Sequence, residues 1–138
     1  MKHFRLRLFG LMTVILITIL SLMPAQEFPQ VDVQFADKWT HWVMYGFLTL
    51  VMGTEAIRHQ YRHSDEPRYA GRSLIGQFFC IMLFSAAWGI LMELCQAYLT
   101  TTRSGDWLDA MANSFGALCA FLGLSAYHLY TRRNSHRP

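Results

Sequence analysis

The stretch MELCQAYLTTTRSGDWLDAMANSFG, Met92 to Gly116, decides how this chain is read. It holds the end of one apolar helix, a short polar loop and the start of the next helix. Glu93 and Gln96 fall three apart on the first helix, Arg103 sits in the loop, and Asp106, Asp109 and Asn113 stand at i, i+3 and i+7 on the second. At about 3.6 residues per turn each set shares a face, so acids and amides from both helices point into a common space. An ionisable group near a bilayer centre costs roughly 2.5–3.5 kcal/mol on insertion scales. A buried set of them is therefore read as a functional site.

Working outward, the 138 residues are 53% hydrophobic and only 15% charged, and the apolar residues come in long runs. That composition suits a membrane protein better than a soluble domain. The expected fold is all-α: a polytopic membrane protein, one domain over residues 1–138, built as a four-transmembrane-helix bundle. The helices are expected at about 8–23, 39–57, 74–100 and 106–130. Cys80, Cys95 and Cys119 all lie inside apolar runs with no ligand spacing, so they read as small buried hydrophobes.

Lys2, Arg5 and Arg7 precede the uncharged run Leu8 to Met23, which Pro24 closes. A cleaved signal peptide shares that layout, but near Gln26 only Ala25 is small and Met23 is bulky, so a retained first helix is expected. Residues 25–38 are polar and read as a loop. The second helix opens DKWTHWVMY, with Trp39 and Trp42 where an interfacial aromatic belt would lie. Arg58 to Arg72 reads as a basic loop broken by Pro67 and Gly71. The third helix is longer than a crossing needs, and the fourth ends in the basic tail TRRNSHRP.

Lysines and arginines set the orientation. Ten lie in the N-terminal segment, the 58–72 loop and the C-terminal tail, against two, Lys38 and Arg103, in the other loops. Both termini are thus expected in the cytoplasm, which sends the polar residues of three segments to the outer half of the membrane. The basic loops follow from topology and anionic lipid; nothing suggests nucleic acid.

The same residues carry a resemblance. Asp37, Lys38, His41 and Tyr45, then Glu93 and Gln96, then Arg103, Asp106, Asp109, Asn113 and Gly116 form a series that resembles the VanZ family of small bacterial membrane proteins over about residues 35–125. One member is associated with resistance to the glycopeptide teicoplanin, and no reaction is firmly assigned to the family. The resemblance implies a role in the cell envelope, at the outer face of the bacterial cytoplasmic membrane.

Read by itself, each residue also has an ordinary role. Asp106 follows Ser104 and Gly105 at a helix start, where it can cap exposed N–H groups; Asp109 in the first turn gains from the helix dipole. Asn113 can bridge helices and Gly116 lets them approach. Glu93 lies about 10 Å along the helix from Thr100 and needs a neutraliser. Lys38 or Arg103 could pair with it, His41 could share its proton, or it could stay protonated. Asp37 and His41 stand at i, i+4, and Tyr45 lies one turn deeper with a phenolic donor.

Two functions follow as expectations. In an enzyme, a membrane hydrolase or transferase, His41 would be the general base and Glu93 or Asp109 the acid or orienting group, with Arg103 and Lys38 holding the phosphate of a lipid-linked cell-wall precursor. Ser104 shows no sign of activation as a nucleophile. In a binding or accessory protein, Asp37, Lys38, Tyr45, Gln96, Arg103, Asp106 and Asn113 would recognise a membrane lipid headgroup, a precursor or a glycopeptide. A divalent cation, Mg²⁺, Mn²⁺ or Ca²⁺, could be held by His41 with Glu93, Asp106 and Asp109, although the spacing matches no known ligand motif. A polar network that only locks the helices together is the remaining reading.

Overall fold

The computed structural model describes residues 2–23, 36–63, 73–100 and 105–135. Those residues form four helices and no strand: α1 (Lys2–Leu22), α2 (Ala36–Arg62), α3 (Leu74–Leu99) and α4 (Trp107–Ser135). The expected helices are all present, and their ends differ from the reading above. α1 runs back through the basic residues to Lys2, and α2 starts at Ala36, so Asp37 and Lys38 are helical rather than part of a loop. At its other end α2 continues through Arg58–Arg62, because no proline or glycine interrupts it before Pro67. The remainder of the two expected loops, 24–35 and 64–72, lies outside the described residues, as do Arg103 and Ser104.

Ser73 caps α3 by accepting from the Gly76 N–H, and Asp106 precedes α4. Two helices, Leu74–Leu99 and Trp107–Asn134, are long and apolar enough to cross a membrane, and Leu8–Leu22 is a shorter apolar segment. In α2, polar residues such as His41, Thr49 and Glu55 interrupt the apolar run.

The helices run alternately up and down. Toward the ends of α1 and α3, Gln96 donates to the Ser21 carbonyl at 2.8 Å and Trp88 to Thr18 at 3.3 Å. Toward the other end, the Gly10 N–H donates to Glu55 at 3.1 Å, Gln77 to Gln60 at 2.8 Å, and the Phe78 ring meets His128 edge-on. The start of α1 and the end of α4 therefore share one end of the bundle. The starts of α2 and α4 share the other with the ends of α1 and α3.

Packing is most extensive between α2 and α4, then α3 and α4; α1 leans on α2 and α3. The tight α2–α4 crossing is a glycine contact. A Cβ on Gly116 would run into the Trp42 carbonyl and lie 3.1 Å from the Gly46 nitrogen, so only glycine lets these backbones touch. Apolar clusters of Ile17, Tyr45 and Leu48, and of Leu74, Phe78 and Leu124, fill the two halves of the interior.

Polarity is distributed the reverse of a soluble bundle. Phe9, Leu16, Phe47, Leu83, Leu94, Phe115 and Leu122 are exposed, whereas Thr49, Ser85 and Asn113 are fully buried and His41, Glu93, Gln96 and Asp109 nearly so. A surface of this kind is at ease against hydrocarbon, and the polar groups then have to find one another inside.

Candidate functional site

The polar side chains gather at the end of the bundle where α2 and α4 begin, and His41 is at their centre. It is reached from α2 by one helical turn, since Asp37 and His41 are i, i+4 neighbours with Asp37 Oδ1 3.6 Å from Nε2. α4 approaches because Gly46 and Gly116 let it, bringing Asp109 and Asn113 to the same ring. Asn113 Oδ1 is 3.0 Å from His41 Nδ1, and Asp109 Oδ2 is 4.0 Å from Nε2. α3 adds Glu93, whose Oε1 is 3.5 Å from Nδ1. Three helices thus converge on one imidazole.

Two further glycines make the convergence possible. A Cβ on Gly89 of α3 would sit 2.7 Å from the Asn113 Cβ and 2.9 Å from its Nδ2, so Gly89 leaves the hollow that Asn113 occupies. A Cβ on Gly105 would collide with the Glu93 carbonyl, so Gly105 lets the chain lie on α3 before α4 begins. There the Asp106 N–H donates to Glu93 Oε2 at 3.1 Å. Glu93 is consequently both a site residue and the tether of the α4 start.

Lys38 is committed elsewhere than the sequence allowed one to choose. Its ammonium bonds Asp106 Oδ2 at 2.9 Å and Asp109 Oδ1 at 3.0 Å. It neutralises the aspartates, and His41 is the basic group beside Glu93. The Asp106 hydrogen bond, then that to Asp109, holds Lys38 above the ordinary lysine range. In return Lys38, with the Leu108 N–H, holds Asp106 below the usual aspartate value. Asp106 keeps its ordinary role too, since it receives Leu108 N–H at 2.9 Å as the cap of α4.

Both ring nitrogens look onto acceptors: Nδ1 faces Asn113 Oδ1 and Glu93 Oε1, and Nε2 faces the carboxylates of Asp37 and Asp109. Glu93 Oε1 and Asn113 Nδ2 are both buried beside the ring, where the Asn113 amide also interacts with Glu93. Four carboxyl groups, those of Asp37, Glu93, Asp106 and Asp109, share the cluster with Lys38, the one lysine among its described residues.

Gln96 and Tyr45 are placed differently from the rest. Gln96 is buried but turns to α1, where it donates to the Ser21 carbonyl. Tyr45 is fully buried one turn below His41, packed with Ile17 and Leu48, its hydroxyl against Ser21. Both brace α1 onto the cluster. Gly46, Gly89 and Gly105 were not singled out in the sequence, nor was Glu55, which lies outside the cluster and holds the Gly10 N–H at the opposite end of the bundle. A glycine inside an apolar helix was the available signal for Gly46 and Gly89, and a glycine just before a helix start for Gly105.

Comparison with family models, with characterised proteins and with solved structures found no match.

Proposed function

We propose that this chain is a VanZ-like, four-span protein of the bacterial cytoplasmic membrane, with both termini in the cytoplasm and the His41 cluster facing outward. In this reading the cluster binds an envelope component: a lipid headgroup, a lipid-linked cell-wall precursor or a glycopeptide such as teicoplanin, with a role in antibiotic resistance. The observation that carries it is the meeting of α2, α3 and α4 around His41 at the end opposite Arg58, Arg62, Arg132 and Arg133. A purely structural lock is a poor alternative, because polar contacts between membrane helices average only about 0.6 kcal/mol each. The excess of carboxylates favours a ligand that presents an amine, hydroxyls or a bound cation; Lys38, already paired with Asp106 and Asp109, is less available for a phosphate than the sequence suggested.

The oriented Nε2 of His41 favours a second reading, catalysis with His41 as general base and Asp109 and Glu93 shaping its charge. One set of variants separates the two. His41→Gln and Glu93→Gln, quantified for insertion and abundance, are tested for binding of teicoplanin and of a lipid-linked precursor to the protein in nanodiscs. Loss of binding with normal abundance supports a binding site. Retained binding with loss of a chemical change in the precursor supports catalysis. Loss of the protein itself supports a scaffold and sinks both.

A further inference from the structure

We infer that Asp37, His41 Nε2 and Asp109 Oδ2 form a binding site for one divalent transition cation of the Mn²⁺ or Zn²⁺ type. The inference rests on reading this end of the bundle as an outward-opening site, and it names what the site holds. One ligand atom from each residue lies within 4.8 Å of the others. The Nε2 separations, 3.6 Å to Asp37 and 4.0 Å to Asp109, are too long for hydrogen bonds. They suit three ligands around a common centre, where bonds of about 2.0–2.4 Å leave neighbouring donors roughly 3–4 Å apart.

The imidazole is prepared for that role. An ion at Nε2 would take the ring with its proton on Nδ1, where Asn113 Oδ1 at 3.0 Å can accept it, and an acceptor behind the ring is the usual support of a metal-bound histidine. On the far side of the ring the buried Glu93 places Oε1 3.5 Å from Nδ1, a second acceptor behind the imidazole.

Lys38 does not fill the place of the ion. It takes Asp109 by Oδ1, which leaves Oδ2 turned toward His41, and its second bond holds it toward Asp106. Imidazole selects Mn²⁺ or Zn²⁺ over Mg²⁺ and Ca²⁺, and three protein ligands leave coordination positions for water or an oxygen of the envelope ligand. Asp37 is the half-exposed member, 57% open, so those positions lie on the side from which a ligand enters. The expected set thus differs from the one read in the sequence: Asp37 replaces Glu93, which sits behind the ring, and Asp106, which is turned to Lys38.

The test uses the full chain in nanodiscs, stripped with chelator and titrated with Mn²⁺ under electron paramagnetic resonance. One bound ion per chain, with nitrogen coupling from a single imidazole, is expected. Asp37→Asn, a change at an exposed position that spares the fold, should weaken binding by at least about tenfold. His41→Gln should abolish the nitrogen coupling, and Glu55→Gln, at the other end of the bundle, should change neither. Absence of a bound ion at millimolar Mn²⁺ in protein that still melts cooperatively overturns the inference. So does an ion without nitrogen coupling that survives Asp37→Asn, which would be an adventitious ion only. Measuring teicoplanin and precursor binding on the same sample keeps the two ideas apart: a ligand bound without metal overturns the ion alone, and an ion bound without ligand overturns the envelope reading alone.

Discussion

His41 Nδ1 lies 3.0 Å from Asn113 Oδ1 across the α2–α4 interface, and Gly89 of α3 provides the hollow in which that amide sits. Asn113→Ala removes the amide and leaves the buried Nδ1 facing only Glu93. The expected cost is on the order of 1–3 kcal/mol, with loss of ligand binding beyond what the stability change explains. Gly89→Val should reproduce the binding defect without touching Asn113 chemically. Thermal unfolding and ligand titration of both variants check this; normal binding by either would mean that the amide does not orient the ring.

Gln96 gives a contrasting expectation. Its amide goes to the Ser21 carbonyl, a brace for α1, so Gln96→Leu should lower stability by about 0.5–1.5 kcal/mol and leave affinity per folded molecule unchanged. A loss of affinity in well-folded Gln96→Leu protein would place Gln96 in the site after all.

How much of this could be read from the sequence depends on the residue. Apolar runs located the four helices, and the i, i+4 relation of Asp37 and His41 survives as a contact. The shared face of Glu93 and Gln96 was too coarse a guide. Three residues turn a helix by about 300°, leaving the side chains some 60° apart, enough for one to face α2 and α4 while the other faces α1. The partner of Lys38 was likewise undecidable, because choosing between Glu93 and the aspartates needs the depth of α2 relative to α4, which Gly46 and Gly116 set. Glu55 passed unnoticed because its partner is a backbone N–H at Gly10, a group with no residue-specific signature.

Two glycines of α4 should respond to alanine in opposite directions. At Gly116 a Cβ would strike the Trp42 backbone, which cannot yield without parting α2 from α4, so Gly116→Ala should cost roughly 3 kcal/mol or more and open the His41 cluster. At Gly123 nothing lies within 4 Å of the added Cβ, and Gly123→Ala should stabilise the helix by up to about 1 kcal/mol. Melting temperatures of the pair decide it; destabilisation of equal size at both would remove the close crossing from the account.

The Lys38–Asp106 pair should leave a signature in pH. Asp106 is held below its ordinary value of about 3.9, so its contribution is present above that pH and lost as the pH falls through the depressed one. Lys38 is held above its ordinary value of about 10.4, so its contribution is complete below that pH and fades as the pH rises through the elevated one. The difference in melting temperature between wild type and Asp106→Asn should thus be flat from about pH 5 to 9 and shrink below about pH 4. A difference that changes steadily through neutrality would assign the stabilisation to other groups.

Orientation can be checked without knowing the ligand. Tyr98 is exposed near the end of α3, beside the polar cluster, and Arg133 is exposed near the end of α4 at the opposite pole. With Cys80, Cys95 and Cys119 replaced by alanine, Tyr98→Cys and Arg133→Cys each give one thiol for a membrane-impermeant maleimide. Intact spheroplasts should label Tyr98→Cys, and Arg133→Cys should react only after the membrane is opened. The excess of arginine at the α4 end makes the reverse pattern physically unfavourable, because basic segments resist translocation. Labelling of Arg133→Cys from outside would turn the His41 cluster toward the cytoplasm. A site for envelope ligands could not then be maintained, whatever the geometry around the imidazole.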